Sequence, residues 1–488
     1  MFGQDMTSVT AETLRQMRDL YAAGRQPLAK FAAMSPGVQA LLAARGLSKA
    51  QTTANDLVGY YLEPTAKLLQ PVLTPLRNRI PRVPGSGGLA AHWKQILSLD
   101  VNRIDIFQQE GVAAPTINYT ASDQSATYRT FSMGDSISIQ SKLASVGLED
   151  GQEQMVIRLL KNVMILEERG LIGGNNGGLG SVTAPTLTTA TTGGTLAAQT
   201  WSVIVRARTA LGLNYTQTGS GAVTPTYGRG RKSTNTTQVT TGATSTISAT
   251  TPWVEGAAAY DWYLGTAGNE YWVATTPNNS YTFTAAASGT FAVPADNHAD
   301  ANAYNGLITQ LTAAAAGYMN TLPTGTPGVG TPFTLSNIDT MLLNLFSTYF
   351  ADPEVLVMAP QQCVDFTNKV IATGDYRFNI DIVKDEGQIG QFTGGFRANR
   401  YLNKATGTSI EIVCNPWWPQ GNITALSLKV PFPAGNIVNA IEIENQLDYF
   451  QLDYAVTAPQ YATEVMTIGV LKLYFLIGCG VIRNIVAG

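Results

Sequence analysis

Histidine and glycine are the residue types of this chain whose spacing would reveal a metal site or a phosphate-binding loop. The two histidines, His92 and His298, lack a partner at zinc-ligand spacing, so we interpret both as surface or loop residues. The glycine-rich stretch at residues 170–180 lacks the lysine of a phosphate loop and leaves a predicted helix rather than opening one, which favours a hinge. No G-x-S-x-G motif is present. The sequence therefore predicts no catalytic residue, metal, cofactor or enzyme activity.

Closely spaced carboxylates are the next residues that acid–base chemistry or cation binding would use. They occur as Asp381 with Asp385 and Glu386, and as Glu442 with Glu444. Solvated loops and strand faces explain both groups better than a catalytic or cation site does.

Concentrated positive charge occurs in two clusters: Arg77, Arg79 and Arg82, and then Arg229, Arg231 and Lys232. The first cluster suits contacts between subunits and equally a weak contact with nucleic acid. The second lies in a threonine-rich region and is interpreted as an exposed turn rather than a ligand site.

The composition of the chain indicates a multidomain protein with a weakly charged surface. A chain of 488 residues is too long for one ordinary domain, and 44% hydrophobic residues supply several cores. Charged residues make up only 13%, against roughly 25% in typical soluble domains. With 31 basic and 34 acidic residues the net charge is −3, which excludes a global basic field for nucleic acid. A weakly charged surface suits a protein that associates extensively.

The three cysteines, Cys363, Cys414 and Cys479, are odd in number and far apart, which favours buried, reduced thiols in a cytoplasmic product. The first 20 residues have no secretory pattern. Residues 468–486 are apolar but interrupted by charges and rich in β-branched side chains, so they are predicted to form strands and not a membrane span.

The first half of the chain alternates between arms and one strong helix. Residues 1–60 are predicted to form short helices that cannot build a core alone. Residues 92–106 and 127–143 are predicted as the two arms of one long hairpin, which would need a partner surface. Residues 149–169 have one apolar stripe and are predicted to form a helix that ends at Gly170.

Residues 182–293 are rich in threonine and alternate like strands, which indicates an inserted β module similar to an immunoglobulin-like or fibronectin type III sandwich. Its expected core aromatics are Trp201, Trp253, Tyr260, Trp262 and Tyr281. Beyond it we predict helices at residues 303–320, 335–350 and 360–372 and strands at 354–358, 410–413, 425–430, 437–443 and 461–476.

Three segments carry a resemblance to a known family. They are LEDGQEQMVIRLLKNVMILEERGLIGGNNG (residues 148–177), DPEVLVMAPQQCVDFTNKVIATGDYRF (352–378) and VTAPQYATEVMTIGVLKLYFLIGCGVIRNIV (456–486). In this order they resemble the spine helix, the strand–helix unit and the strand-rich end of tailed-phage major capsid proteins, whose fold is shared with encapsulins and the herpesvirus shell floor.

The resemblance implies an α+β chain with the tailed-phage major capsid fold and an inserted immunoglobulin-like sandwich. It divides the chain as follows: residues 1–70, an N-terminal arm; 71–181, a peripheral domain with an extended loop (about 85–145) and a spine helix (about 149–169); 182–295, the inserted sandwich; 296–424, an axial domain; and 425–488, a strand-rich return that completes both domains.

The same resemblance implies a structural shell protein that assembles as hexamers and pentamers into an icosahedral head around double-stranded DNA, as part of a virion built in the host bacterial cytoplasm. The implied partners are other copies of the chain, a portal, scaffold and decoration proteins, and weakly contacted packaged DNA, with no membrane. An encapsulin-like nanocompartment is the alternative, and a threonine-rich adhesin a remote one. Arg77, Arg79 and Arg82 would then face subunits or DNA.

Overall fold

The computed structural model describes residues 73–85, 87–98, 110–112, 120–145, 151–177, 179–212, 228–289, 291–293, 302–313, 316–324, 330–372, 398–434, 437–456 and 458–486. The predicted arm at residues 1–70, His298, and the carboxylates at 381–386 lie outside these ranges. The described residues are mixed α and β, as the sequence predicted, and belong to two compact units. The smaller unit contains Asp135–Arg158 and Asp453–Ala462, and the larger contains the other described residues.

Within the described residues the helices are α1 (Ile139–Ser145), α2 (Gly151–Gly173), α3 (Leu307–Ala313), α4 (Leu335–Tyr349) and α5 (Pro360–Ala372). The strands are β1 (Arg82–Pro84), β2 (Ala90–Ser98), β3 (Thr120–Thr127), β4 (Arg129–Ser138), β5 (Thr186–Ala190), β6 (Thr200–Arg208), β7 (Arg229–Lys232), β8 (Thr236–Val239), β9 (Thr246–Thr250), β10 (Ala259–Thr266), β11 (Asn269–Thr276), β12 (Ser280–Phe283), β13 (Tyr318–Thr321), β14 (Val355–Met358), β15 (Arg400–Leu402), β16 (Ser409–Cys414), β17 (Ile423–Leu426), β18 (Lys429–Ala434), β19 (Ile437–Asn439), β20 (Ile441–Asp453), β21 (Gln460–Leu473) and β22 (Gly480–Arg483). None of these helices is long and apolar enough to cross a membrane.

The main core of the larger unit surrounds a six-stranded sheet with the order β13-β22-β17-β14-β16-β15. All four residues of β14 are buried, as expected for a central strand covered on both faces. The C-terminal strand β22 enters between β13 and β17, so this core is completed only by the end of the chain. A four-stranded sheet, β1-β20-β21-β4, also depends on late strands.

Helices α4 and α5 confirm the sequence prediction closely. Thr334 and Asn337 form a reciprocal capping box at the start of α4, and Phe350 ends it in a left-handed conformation. The helix predicted at residues 303–320 was wrong, because only Leu307–Ala313 is helical and residues 318–321 form β13. Gly317 approaches the carbonyl of Ile477, which lies in a short 3-10 helix (Leu476–Gly478), too closely for a side chain, and the residues that follow Gly317 pair with β22.

The long helix α2 continues to Gly173, so the predicted end at Gly170 was wrong. A Cβ at Gly170 would lie 2.5 Å from the ring of Phe131. The glycine therefore serves close packing and does not stop the helix. The buried stripe contains Met155, Leu159 and Val163, as the periodicity predicted.

The threonine-rich region forms two sheets that share one core. The first has the order β11-β10-β6-β7 with β8 also paired to β6, and the second has the order β12-β9-β5. Three of the five predicted core aromatics are buried there, and Trp253 and Tyr281 are partly buried against them. A β sandwich is therefore present, while its immunoglobulin-like identity stays a prediction.

Arg229 was predicted to lie in an exposed turn, and this was wrong. It lies on β7 with its side chain 3% exposed, and its Nε is 3.8 Å from the buried Asp261 carboxylate. Arg208 pairs with the same carboxylate at 3.3 Å. Asp261 lies on β10, two strands away from β7 in the same sheet and more than 30 residues away in sequence, so the sequence offered no local signal for this partner. Arg231 and Lys232 are exposed, as expected.

Two further predictions were wrong: that all three cysteines are reduced, and that Glu442 and Glu444 are solvated. In both cases residues far apart in sequence lie in contact. Cys363 and Cys414 form a disulfide with Cα atoms 6.2 Å apart, although Cys479 is a buried thiol as expected. Glu442 and Glu444 are buried on β20 and not solvated. Glu444 pairs with Lys472 and accepts a hydrogen bond from Tyr128, which satisfies its charge within the core.

Candidate assembly site: the arginine cluster and the paired ribbon

The segment that carries the predicted contact residues Arg77, Arg79 and Arg82 is a tight turn followed by β1. The N–H of Ile80 donates to the carbonyl of Leu76 at 3.0 Å, which places these two apolar side chains on one side of the turn. Both are buried in the main core, at 1% and 3% exposure. Arg77 and Arg82 are consequently held near α2 and β20.

Glu167 on α2 is the acceptor around which two of the arginines meet. Arg77 Nε lies 2.7 Å from Glu167 Oε2, and Arg82 pairs with Oε1 of the same carboxylate. The Tyr449 hydroxyl also donates to Glu167, and both guanidinium groups lie 5.0 Å from the centroid of the Tyr449 ring. The Glu167 side chain is 3% exposed. A carboxylate, two cations and an aromatic face therefore satisfy one another with little help from water.

The pKa values of Arg77 and Tyr449 are shifted in the directions that this arrangement predicts. Burial opposes the charged form of Arg77, but its hydrogen bond to Glu167 and the attraction of nearby negative groups outweigh burial and raise its pKa. Burial, and then the charge of Glu167, raise the pKa of Tyr449. Tyr449 is thus a neutral hydrogen-bond donor at physiological pH.

Glu168, the next residue of α2, binds the turn itself. Its carboxylate accepts hydrogen bonds from the backbone N–H groups of Leu76 at 3.1 Å and Arg77 at 2.7 Å. The side-chain amide of Asn415, just beyond β16, donates to it at 2.6 Å. The turn, the long helix and the six-stranded sheet therefore converge on adjacent carboxylates.

The shifted pKa of Glu168 predicts how the stability of the chain changes with pH. Burial raises the pKa of its carboxyl above the usual value, although the three hydrogen bonds act in the opposite direction. A raised folded-state pKa means that the contribution of Glu168 to stability is present below the unfolded pKa and is lost as pH rises through the folded pKa. Gln at this position mimics the protonated acid. We expect the melting temperature of the wild type, relative to Glu168→Gln, to fall as pH is raised from about 4 towards neutrality. A difference independent of pH would contradict this assignment.

Arg79 is separate from the Glu167 cluster. It pairs with Glu411 on β16 and donates to the carbonyl of Pro75 at 2.8 Å. Its side chain is 31% exposed, the largest fraction of the three arginines. Contact of these arginines with other subunits or with DNA stays a prediction, and Arg79 has the most surface available for it.

Sequence reasoning missed Glu167, Glu168 and Tyr449. Glu167 follows Val163 by four residues and so continues the apolar stripe of α2, which is a usable signal for a buried, paired carboxylate. Nothing local marks Tyr449, whose role depends on a partner 372 residues away in sequence. Among the described residues, no group of three or more histidine, cysteine or acidic side chains is placed to hold a metal ion.

The second part of the candidate site is the ribbon formed by β2 and β3, which pair antiparallel from Ala90 with Thr127 to Ser98 with Thr120. The sequence correctly predicted a hairpin but paired the wrong arms, because residues 129–138 form β4 in the four-stranded sheet. β2 is attached to the core: Trp93 Nε1 donates to the carbonyl of Leu473 at 2.9 Å, and the Ile96 N–H donates to the carbonyl of Tyr474.

β3 has a different environment. None of its eight residues is buried, and in the described structure it pairs only with β2. Among the described residues no strand pairs with its second edge, and an unpaired strand edge is a template for pairing with another strand. Its side chains are small or polar, so the edge is not masked by bulky groups.

Comparison with solved structures finds similarity at low sequence identity. The capsid of cyanophage A-1(L) is 12% identical, covering 89% of this chain and 96% of that chain at a TM-score of 0.41. The capsid of a native GTA particle is 10% identical, covering 89% and 98% at 0.40. The SrpI encapsulin of Synechococcus elongatus PCC 7942 is 9% identical, covering 91% and 95% at 0.36.

No protein-family model matches the chain, and no curated protein sequence matches it significantly.

Proposed function

We propose that this chain is the major capsid protein of a tailed bacteriophage, a structural subunit that assembles as hexamers and pentamers into an icosahedral head around double-stranded DNA. The observation that carries the proposal is the ribbon. β2 is attached to the core, but β3 has neither a buried residue nor a second strand partner in the described structure. Such an element gains stability when a neighbouring copy covers it.

The low charge of the chain supports extensive self-association. Only 13% of its residues are charged and the net charge is −3, so copies repel each other weakly. Arg77 and Arg82 pair with Glu167 inside the subunit. These ion pairs hold the segment that leads into β1 and the ribbon in place. Self-assembly would bury the exposed edge and exclude water from it.

The proposal extends to partners and location. The shell would incorporate a portal, would assemble in the host bacterial cytoplasm with any scaffold or decoration proteins, and would be a component of the virion. Contact with packaged DNA would be weak and non-specific, since the chain has no global basic field. The same lack of a basic field suits an encapsulin-like nanocompartment, which holds protein cargo instead of a genome.

Electron microscopy of the expressed chain tests the proposal. We expect closed shells with local sixfold and fivefold clusters of subunits, formed alone or with a coexpressed scaffold. Nuclease-protected DNA in native particles would favour a phage head, and copurified protein cargo would favour the nanocompartment. A monodisperse monomer under all of these conditions would exclude both.

A further inference from the structure

The disulfide lies where a helix start and a strand end meet. Cys363 is in the first turn of α5, which follows β14, and Cys414 is the last residue of β16, which runs parallel to β14. Parallel strands place their carboxyl ends at one edge of a sheet, so the two cysteines adjoin. The third cysteine, Cys479, is fully buried, and burial raises the pKa of its thiol to about 12, which makes it unreactive.

Of the two bonded cysteines, Cys414 borders an open cleft formed by described residues. A cleft of about 340 Å³ is lined by Cys414 together with Arg79, Arg400 and Glu411, among others. Cys414 is half-buried, whereas Cys363 is 9% exposed and does not line the cleft. Of the two residues, Cys414 is therefore the more accessible from this cleft.

The cleft has an excess of positive charge. Arg79 is paired with Glu411, so its charge is largely balanced within the cleft. Arg400 donates to Ser409 Oγ at 3.2 Å and lies exposed on the edge strand β15. The exposed guanidinium of Arg400 therefore attracts an anionic reagent to this cleft.

We propose that Cys414 and Cys363 form a reversible redox switch that exchanges with small anionic peptide disulfides of the glutathione type through this cleft. The Cys414 thiolate attacks one sulfur of the small disulfide, whose S–S bond breaks and releases one small thiol. The Cys363 thiolate then attacks Cys414 Sγ, forms the protein disulfide and releases the second small thiol. Two protein thiols are oxidised, one small disulfide is reduced to two thiols, and the two protons pass to the departing thiolates.

The switch has a structural consequence that does not depend on the proposed function. The bond closes a 51-residue separation between α5 and the end of β16. The residue after Cys414 is Asn415, whose amide donates to Glu168 on the long helix. Oxidation therefore fixes the strand end that supports the Glu168 contact, and we expect a higher melting temperature for the oxidised chain than for the reduced chain.

Disulfide exchange with the full chain tests the proposal. The chain is reduced, freed of reductant and treated either with oxidised glutathione or with the neutral hydroxyethyl disulfide, and adducts are located by peptide mass. In Cys363→Ser a mixed disulfide should accumulate on Cys414, while in Cys414→Ser the reaction at Cys363 should be roughly tenfold slower or more. Equal rates at the two cysteines would overturn the assignment of Cys414.

Arg400→Ala tests recognition of charge. It should slow the reaction with oxidised glutathione severalfold and leave the rate with hydroxyethyl disulfide unchanged, whereas Arg231→Ala in the β sandwich should alter neither rate. Equal slowing with both reagents, or no slowing, would overturn the role of the cleft. If a cysteine variant does not fold, the order of alkylation in the reduced wild type replaces it: Cys414 should react before Cys363 and Cys479.

Discussion

Replacing Glu167 by alanine is expected to lower the free energy of unfolding by about 3 kcal/mol or more. The substitution removes the shared acceptor of Arg77, Arg82 and Tyr449, which leaves Arg77 without its acidic partner and Arg82 with only the exposed Asp448. Arg77 and Glu167 are 12% and 3% exposed, so water compensates poorly. Urea unfolding of the chain at neutral pH, followed by circular dichroism, measures the change.

Two variants make the Glu167 result specific. Glu167→Gln keeps the shape of the side chain but not its charge, and should recover only part of the loss because Arg77 still lacks an acidic partner. Asp123→Ala removes an exposed carboxylate that lies 3.9 Å from the Lys94 ammonium, and should change stability little. Equal stability of Glu167→Ala and the wild type would show that the cluster is screened by solvent and does not anchor the segment.

Elements with strong local periodicity were predictable from the sequence. Helix α5 has the predicted bounds, α4 differs by one residue, and the aromatic core of the β sandwich contains the expected side chains. These successes share a cause, since apolar spacing and caps act within a few residues of one another.

The errors share a cause as well, because each depends on a partner far away in sequence. Glu167 is 90 residues from Arg77, and Cys363 is 51 residues from Cys414. Gly170 was interpreted as a helix stop because its contact with Phe131 is invisible locally. The pairing of the ribbon arms failed for a related reason: alternation predicts that a segment is extended but not which strand it pairs with.

The arginine cluster and the ribbon are expected to have different roles: the cluster stabilises the fold of the subunit, and the ribbon makes contacts between subunits. Arg77 and Arg82 use their charge internally, which favours a fixed attachment of the segment over direct capture of a partner. β3 differs from this cluster: none of its residues is buried, Ala126 packs only partly against the main core, and in the described structure one of its edges pairs with no strand. Assembly in the proposed shell should consequently be more sensitive to changes in β3, and folding of the subunit more sensitive to changes at Glu167.

The double substitution Asp123→Pro and Gln124→Pro is expected to abolish shell formation while leaving the subunit core folded. Successive N–H groups of a strand point to opposite edges, so this pair removes one hydrogen-bond donor towards β2 and one towards the open edge. Because β3 has no buried residue, the melting temperature of the subunit should fall little. Electron microscopy and sedimentation measure the shells, and circular dichroism measures the fold.

Asp123→Ala with Gln124→Ala is the matched control, because it removes the same side chains and keeps both N–H groups. Shells from this variant together with none from the proline variant would assign assembly to the backbone edge of β3. If the proline variant forms shells at wild-type yield, the ribbon is not an assembly element, and the observation that carries the proposed function is lost. If both variants fail to assemble while the subunit stays folded, the side chains at these two positions, and not the strand edge, make the contact between copies.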